Sequence, residues 1–273
     1  MNLVRYNIGL TQQTHNKKDY AVSEHLKKVV LVTTTSYQSV DEPRARLAIK
    51  TCLACKQHGY NLIVIDGSPC LSFKKALRET GVIVIDQKES GMGASRRQAL
   101  GAGIDSGADI IVWLEPEKHT LIPLLVPCLN EIVFEEADVV IPRRKNLDGY
   151  PPYQQFSEYR GNWELANITN QPALDLYFGP RVMTAEAARM MAIYNGADEP
   201  DSDSDKWQIL FVPVLWFLDA GLEVKSVTVD YVHPPEQLAE DDAGMREKRD
   251  VQRARINASM ELAAARLNFE VLH

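Results

Sequence analysis

The sequence predicts an α/β protein, with a mostly parallel central sheet, helices on both faces and one long C-terminal helix. Three observations predict it. Short apolar runs alternate with helical patterns from residue 29 onward, the order of a parallel sheet built with right-handed crossovers. The run Ile110 to Leu114 is apolar throughout and rich in β-branched residues, as in a central strand covered on both sides. Gln237 to Asn268 carries Ala and Leu stripes among many charges, the pattern of an amphipathic helix that packs on the domain or joins copies of the chain.

Residues 1–28 are polar and weakly periodic and read as an N-terminal tail. Val29 to Thr33 is the first strand, ending in the hydroxyl-rich loop Thr33-Thr34-Thr35-Ser36-Tyr37-Gln38. Asp41-Glu42-Pro43 opens a helix, along which Ala45, Ala48, Cys52 and Cys55 recur at helical spacing before Gly59. Leu62 to Ile65 is the second strand, closed by Asp66-Gly67-Ser68-Pro69; helix Leu71 to Glu79 and strand Val82 to Ile85 follow. A glycine-bearing loop, Ser90 to Gly93, then enters a helix that carries Arg96 and Arg97 in its opening turns. Helix N-termini bind anions and guanidinium forks match phosphate oxygens; two solvated arginines are the other reading. No Gly-Lys-Ser/Thr follows, so this is not a P-loop.

The central strand stops at Glu115-Pro116-Glu117. Ligands of open α/β sheets bind just beyond the carboxyl ends of strands, and residues i and i+2 of an extended segment point the same way. Two carboxylates aimed at one place call for a cation, a divalent metal on a phosphorylated substrate; a solvated acidic turn is the alternative. Helix Leu121 to Glu135 and strand Asp138 to Pro142 come next, ending in Arg143-Arg144-Lys145, a triplet that fits a solvated turn slightly better than a phosphate site. Asn146 to Asn170 is aromatic and polar without clear periodicity, and reads as long loops. Its Trp163 either stacks on a sugar or fills a loop core. Phe178 to Met183 begins a further element and Thr184 caps a helix. An acidic loop runs from Asn195 to Asp205, helix Trp207 to Ala220 is strongly apolar, and strand Glu223 to Val232 ends at His233-Pro234-Pro235.

Composition narrows the function. A net charge of −7 over 273 residues argues against a nucleic-acid surface, though not against a local basic pocket. No segment approaches the ~20 apolar residues that span a bilayer. The N-terminus has no leader pattern and the four cysteines lack zinc spacing. The expectation is a cytoplasmic protein with reduced cysteines.

Taken in order, these motifs resemble those of the nucleotide-sugar glycosyltransferases of the GT-A fold, family 2-like, over residues 29–234. That family has a Thr-rich, Tyr-bearing turn after strand one (Thr33 to Tyr37), Asp-Asp-Gly-Ser after strand two (Ile65 to Ser68), and Gly…Ala-Arg-Asn before the central strand (Gly93 to Arg97). It has Asp-x-Asp at the strand end, where this chain has Glu115 and Glu117. The resemblance implies transfer of a sugar from a UDP- or GDP-sugar to an acceptor hydroxyl. Thr34, Ser36 and Asp66 hold the nucleoside, and Arg96 or Arg97 lies near base or phosphate with Glu115. Mg2+ or Mn2+ is held by Glu115, Glu117 and His233. Asp205, or failing it Asp203, serves as catalytic base. It divides the chain into a nucleotide-sugar-binding half (29–145), an acceptor-binding half of the same domain (146–236) and a packing or homo-oligomerisation helix (237–273). The Glu-x-Glu departure keeps an alternative open, a non-catalytic GT-A-like protein that binds a sugar nucleotide or a protein partner.

Overall fold

The computed structural model describes residues 28–197, 205–240, 243–267 and 269. The expected N-terminal tail, apart from Lys28, lies outside them, as does Asp203. The strands are β1 (Val29–Thr35), β2 (Asn61–Asp66), β3 (Ile83–Asp86), β4 (Ile110–Trp113), β5 (Val139–Arg144), β6 (Arg181–Thr184) and β7 (Val224–Val229). They form one sheet in the order β3-β2-β1-β4-β6-β5-β7. All run parallel except β6, which is antiparallel to both β4 and β5. The carboxyl ends of six strands and the start of β6 therefore share one edge.

Among the described residues eight α-helices surround the sheet: α1 (Pro43–Gln57), α2 (Leu71–Glu79), α3 (Met92–Asp105), α4 (Leu125–Phe134), α5 (Pro152–Thr169), α6 (Ala185–Ala192), α7 (Val212–Asp219) and α8 (Ala243–Arg266). Alternate strand residues feed two cores. Leu31, Val64, Val112 and Val182 pack with α1, α2 and α4; Val32, Ile65, Ile111, Trp113 and Met183 pack with α3, α5, α6, α7 and α8. Each aliphatic side chain taken fully from water contributes about 1.5–3 kcal/mol. The C-terminal helix packs against α5 and α7, burying Ile256, Met260 and Ala264 completely. No helix among the described residues is long and apolar enough to cross a membrane.

Four segments differ from expectation, among them the C-terminal helix expected from Gln237, which starts at Ala243 after a 3-10 turn, Pro235–Glu240. The helix expected from Leu121 begins as a 3-10 turn, His119–Leu124, because Pro123 removes a backbone donor; α4 takes over at Leu125. Likewise the apolar stretch after Trp207 opens with a 3-10 turn, Gln208–Leu210, and α7 starts beside Pro213. The largest difference is α5, where loops were expected. Proline at its first position favours initiation, and Asn170, at φ 52, closes it in the left-handed conformation. Its first three turns are inverted, with Gln154 and Gly161 buried and Phe156, Tyr159 and Trp163 exposed; Leu165 and Ile168 near its end are buried in the ordinary way. Trp163 therefore fills no core.

Candidate functional site

At the carboxyl edge of β1 and β2, Asp66 is completely buried. Its Oδ1 accepts from the Thr35 hydroxyl at 2.7 Å, the Ser68 hydroxyl at 2.6 Å and the Ser68 N–H at 3.2 Å, an Asx-turn locked onto the neighbouring strand. Oδ2 accepts no hydrogen bond; Lys74 Nζ stands 3.8 Å away. Thr34 is half-buried and Ser36 exposed at the mouth of β1.

The arginines of α3 grip the protein itself. Arg96 is 4% exposed, with its guanidinium over the rings of Trp113 at 5.4 Å and Trp207 at 4.6 Å. Nη1 donates to the Lys206 carbonyl at 2.7 Å, and burial pulls the group down to about 10. Arg97 makes a two-pronged ion pair with Asp205, 2.8 Å from Nη2 to Oδ2, and donates to the Tyr194 carbonyl at 3.2 Å. The Asp205 carbonyl accepts from the Gly93 N–H at 3.1 Å. A Cβ at residue 93 would lie 2.6 Å from that carbonyl oxygen, so only glycine permits the approach. The two arginines thus pin residues 205–207 to the start of α3.

A cavity of about 800 Å3 opens beyond the ends of β4 and β5. Glu115, Glu117 and His233, far apart in sequence, all line it; Thr34, Ser36, Asp66, Arg96, Arg97 and Asp205 do not. Glu117 is buried and its Oε1 accepts from the Tyr37 hydroxyl at 3.0 Å. Burial raises its carboxyl, Glu115 adding to the rise and Arg44 opposing it. Glu115 is held beside Gly179, whose φ of +83 favours glycine and where a Cβ would fall 2.7 Å from the Glu115 carboxyl carbon. Its Oε2 stands 3.5 Å from Lys118 Nζ. His233 stacks on Tyr150 at 3.9 Å. Burial, with Lys118, Arg144, Arg249 and Arg44 nearby, lowers it to about 3, so the imidazole is neutral.

Sequence reasoning missed the basic half of this cavity. Arg144, placed in a solvated triplet, is 5% exposed. Nε and Nη2 donate to the two Asp175 oxygens at 2.7 and 2.8 Å, and Nη1 pairs with Glu158. Its guanidinium lies 5.0 Å from the Tyr150 and Phe178 ring centres. Arg143, still within β5, and Lys145, just beyond it, are exposed. Arg44, Lys118, Arg144 and Lys206, with Lys248, Arg249 and Arg255 of α8, give seven cations among the lining residues, against the carboxylates of Glu115, Glu117, Glu158 and Glu247. In a chain of net charge −7 this is a local reversal of sign. Low-dielectric walls concentrate such a field on an anion.

No cluster of three or more His, Cys, Asp or Glu side chains among the described residues forms a metal cage. Two donors of suitable chemistry nevertheless face the cavity. One is the buried Glu117 carboxylate; the other is His233, whose Nδ1 is buried without a hydrogen-bond partner. A cation held by these two would draw its remaining oxygens from a bound diphosphate, as hard divalent cations commonly do.

No protein-family model and no curated protein sequence matches this chain. Solved structures do. Glucosyl-3-phosphoglycerate synthase from Mycobacterium tuberculosis, crystallised with Mn2+, UDP-glucose and phosphoglyceric acid, superposes with a TM-score of 0.60 at 12% identity, over 92% of this chain and 86% of that one. The same enzyme with UDP gives 0.61 at 12%, over 92% and 87%; with phosphoglyceric acid it gives 0.56 at 15%, over 88% and 80%. At such identities the likeness establishes the fold alone, and that fold is GT-A, as the ordered strand-end motifs imply.

Proposed function

We propose that this chain is a glycosyltransferase that moves a sugar from a UDP- or GDP-sugar to an acceptor hydroxyl, with Mg2+ or Mn2+ on the diphosphate. The observation that carries the reading is the cation-rich cavity at the carboxyl edge of the sheet, with the Glu115-Pro116-Glu117 turn in its wall. A nucleotide sugar brings two phosphoryl charges to a place where cations outnumber carboxylates. Asp66, completely buried and bonded to Thr35 and Ser68, would reach a base or ribose only if the turn after β2 opens. Glu117 and His233 would hold the metal, which supplies Lewis-acid stabilisation of the leaving diphosphate when bound. Arg144 cannot swing away, because Asp175 and Glu158 fix it; a preorganised cation needs no reorganisation as charge develops. The exposed Lys248 and its neighbours on α8 favour an acceptor that itself carries negative charge, consistent with the phosphoglyceric acid bound by the M. tuberculosis enzyme.

In the reaction the bond from sugar C1 to the β-phosphoryl oxygen breaks with its electron pair on the diphosphate. The acceptor oxygen bonds to C1 and its proton is released. Asp205, the base expected from sequence, is engaged by Arg97 away from the cavity lining, and must leave that ion pair to serve. Titration calorimetry with UDP and GDP, with and without Mn2+, tests the reading. Micromolar to millimolar binding of one of them is the expected result; heat from neither, under any metal condition, would remove the basis for a transferase.

A further inference from the structure

Lys118 is the lining residue whose place is hardest to explain without a ligand. It follows Glu117 on the turn beyond β4 and is only 8% exposed. Lysines are almost never so buried unless their charge is matched. Its backbone N–H is used by the Glu115 carbonyl at 3.2 Å. Its ammonium lies over the faces of Phe178 at 5.6 Å and Tyr231 at 5.3 Å. The single carboxylate it pairs with, Glu115, is 3.5 Å away, longer than the ~2.7–2.9 Å of a charge-assisted hydrogen bond. An ammonium has three donors. Its contacts are two ring faces and one ion pair longer than such a hydrogen bond, and the side chain lines the cavity.

A second group in the same wall lacks a hydrogen-bond partner altogether. The Tyr150 hydroxyl is buried with no hydrogen-bond partner, on a side chain 6% exposed that also lines the cavity. Buried polar atoms are nearly always paired in a folded protein. An orphaned hydroxyl and an under-coordinated ammonium in one cation-rich wall are complementary to an anion with several oxygens. The carboxylates do not fill that role: Glu117 is bound by Tyr37 and Glu115 is packed against Gly179.

We propose that Lys118 is the resident cation of the diphosphate cradle. On binding, a phosphoryl oxygen replaces Glu115 as its closest partner, Tyr150 donates its hydroxyl to the same group, and the ammonium stabilises the negative charge that grows when the C1–O bond breaks. This rests on the transferase reading and adds to it a charge that chelators cannot remove. The competing account makes Lys118 a structural counter-ion of Glu115.

The test compares nucleoside with nucleoside diphosphate: uridine with UDP and guanosine with GDP, by calorimetry, in EDTA and in Mn2+. For whichever base the wild type accepts, the diphosphate is expected to bind more tightly than the nucleoside even in EDTA. Lys118→Met is expected to keep nucleoside affinity, which also reports its fold, and to lose ~10- to 100-fold of the diphosphate advantage. If Lys118→Met fails to bind nucleoside, Lys118→Gln, which retains length and a donor, carries the comparison. Tyr150→Phe loses less, ~3- to 10-fold. Retention of the full diphosphate advantage by the folded lysine variant would overturn the proposal and leave the transferase reading intact. Absence of any nucleotide binding by the wild type would overturn both.

Discussion

The start of α3 and the cavity beneath α8 are both rich in basic residues, and they treat those charges in opposite ways. At α3 the guanidinium groups are closed upon protein partners: Arg96 between two tryptophans, Arg97 upon Asp205. In the cavity, Arg144 is fixed by two carboxylates, yet the lining as a whole retains an excess of positive charge. The first region joins distant segments; the second attracts something the chain lacks. Basic residues near a helix start are therefore no guide to anion binding until their partners are known.

Substitutions in the two regions should separate stability from ligand affinity. The largest expected effect is at the cavity's own support. Asp175→Asn leaves Arg144 short of its best partner in a buried site, and chemical denaturation should register a loss of about 3–5 kcal/mol. The same pair gives a pH signature. Burial alone would raise the Asp175 carboxyl, but the Arg144 guanidinium outweighs it and holds the group below its ordinary value. Its contribution is complete above the unfolded value of ~4, and is lost as pH falls through the lower folded value. A wild-type acid-unfolding curve should therefore fall below that pH in a part that Asp175→Asn lacks.

Next is Glu117→Ala, expected to slow sugar transfer by ~10²-fold while denaturation midpoints move little; an unaltered rate would favour a binding protein over an enzyme. Arg96→Met should cost about 1–3 kcal/mol through the lost cation–π and carbonyl contacts, with nucleotide affinity unchanged. A loss of affinity without a loss of stability would contradict the contrast just drawn. Arg97→Ala is the smallest effect, about 0.5–1 kcal/mol, since its ion pair with Asp205 is partly exposed to solvent.

Much of the frame was legible because its signals are local. The apolar run at β4, Pro43 at the start of α1 and the Asp66-Gly67-Ser68 turn each depend on a few adjacent residues. Glu115, Glu117 and His233 line one cavity, a trio that only the family resemblance had brought together. What could not be read depends on distant packing. Arg96 and Arg97 meet a segment that arrives about a hundred residues later, and no spacing rule announces that meeting. The first part of helix α5 conceals it by burying Gln154 and exposing Phe156, Tyr159 and Trp163, the reverse of the periodicity by which helices are found. Lys118 stands next to a noticed motif, but its burial is created by Phe178 and Tyr231, from other elements.

The reversed direction of β6 has a further consequence. Linkers that follow the parallel strands depart from the mouth of the crevice, whereas the linker from Asn170 to Pro180 arrives there, delivering Asp175, Phe178 and Gly179 beside Arg144, Lys118 and Glu115. Lengthening or trimming that one incoming strap would reshape the mouth while leaving every rung of the ladder in register. Natural variation in which substrate such a protein accepts has a route there, provided Asp175 stays paired with Arg144.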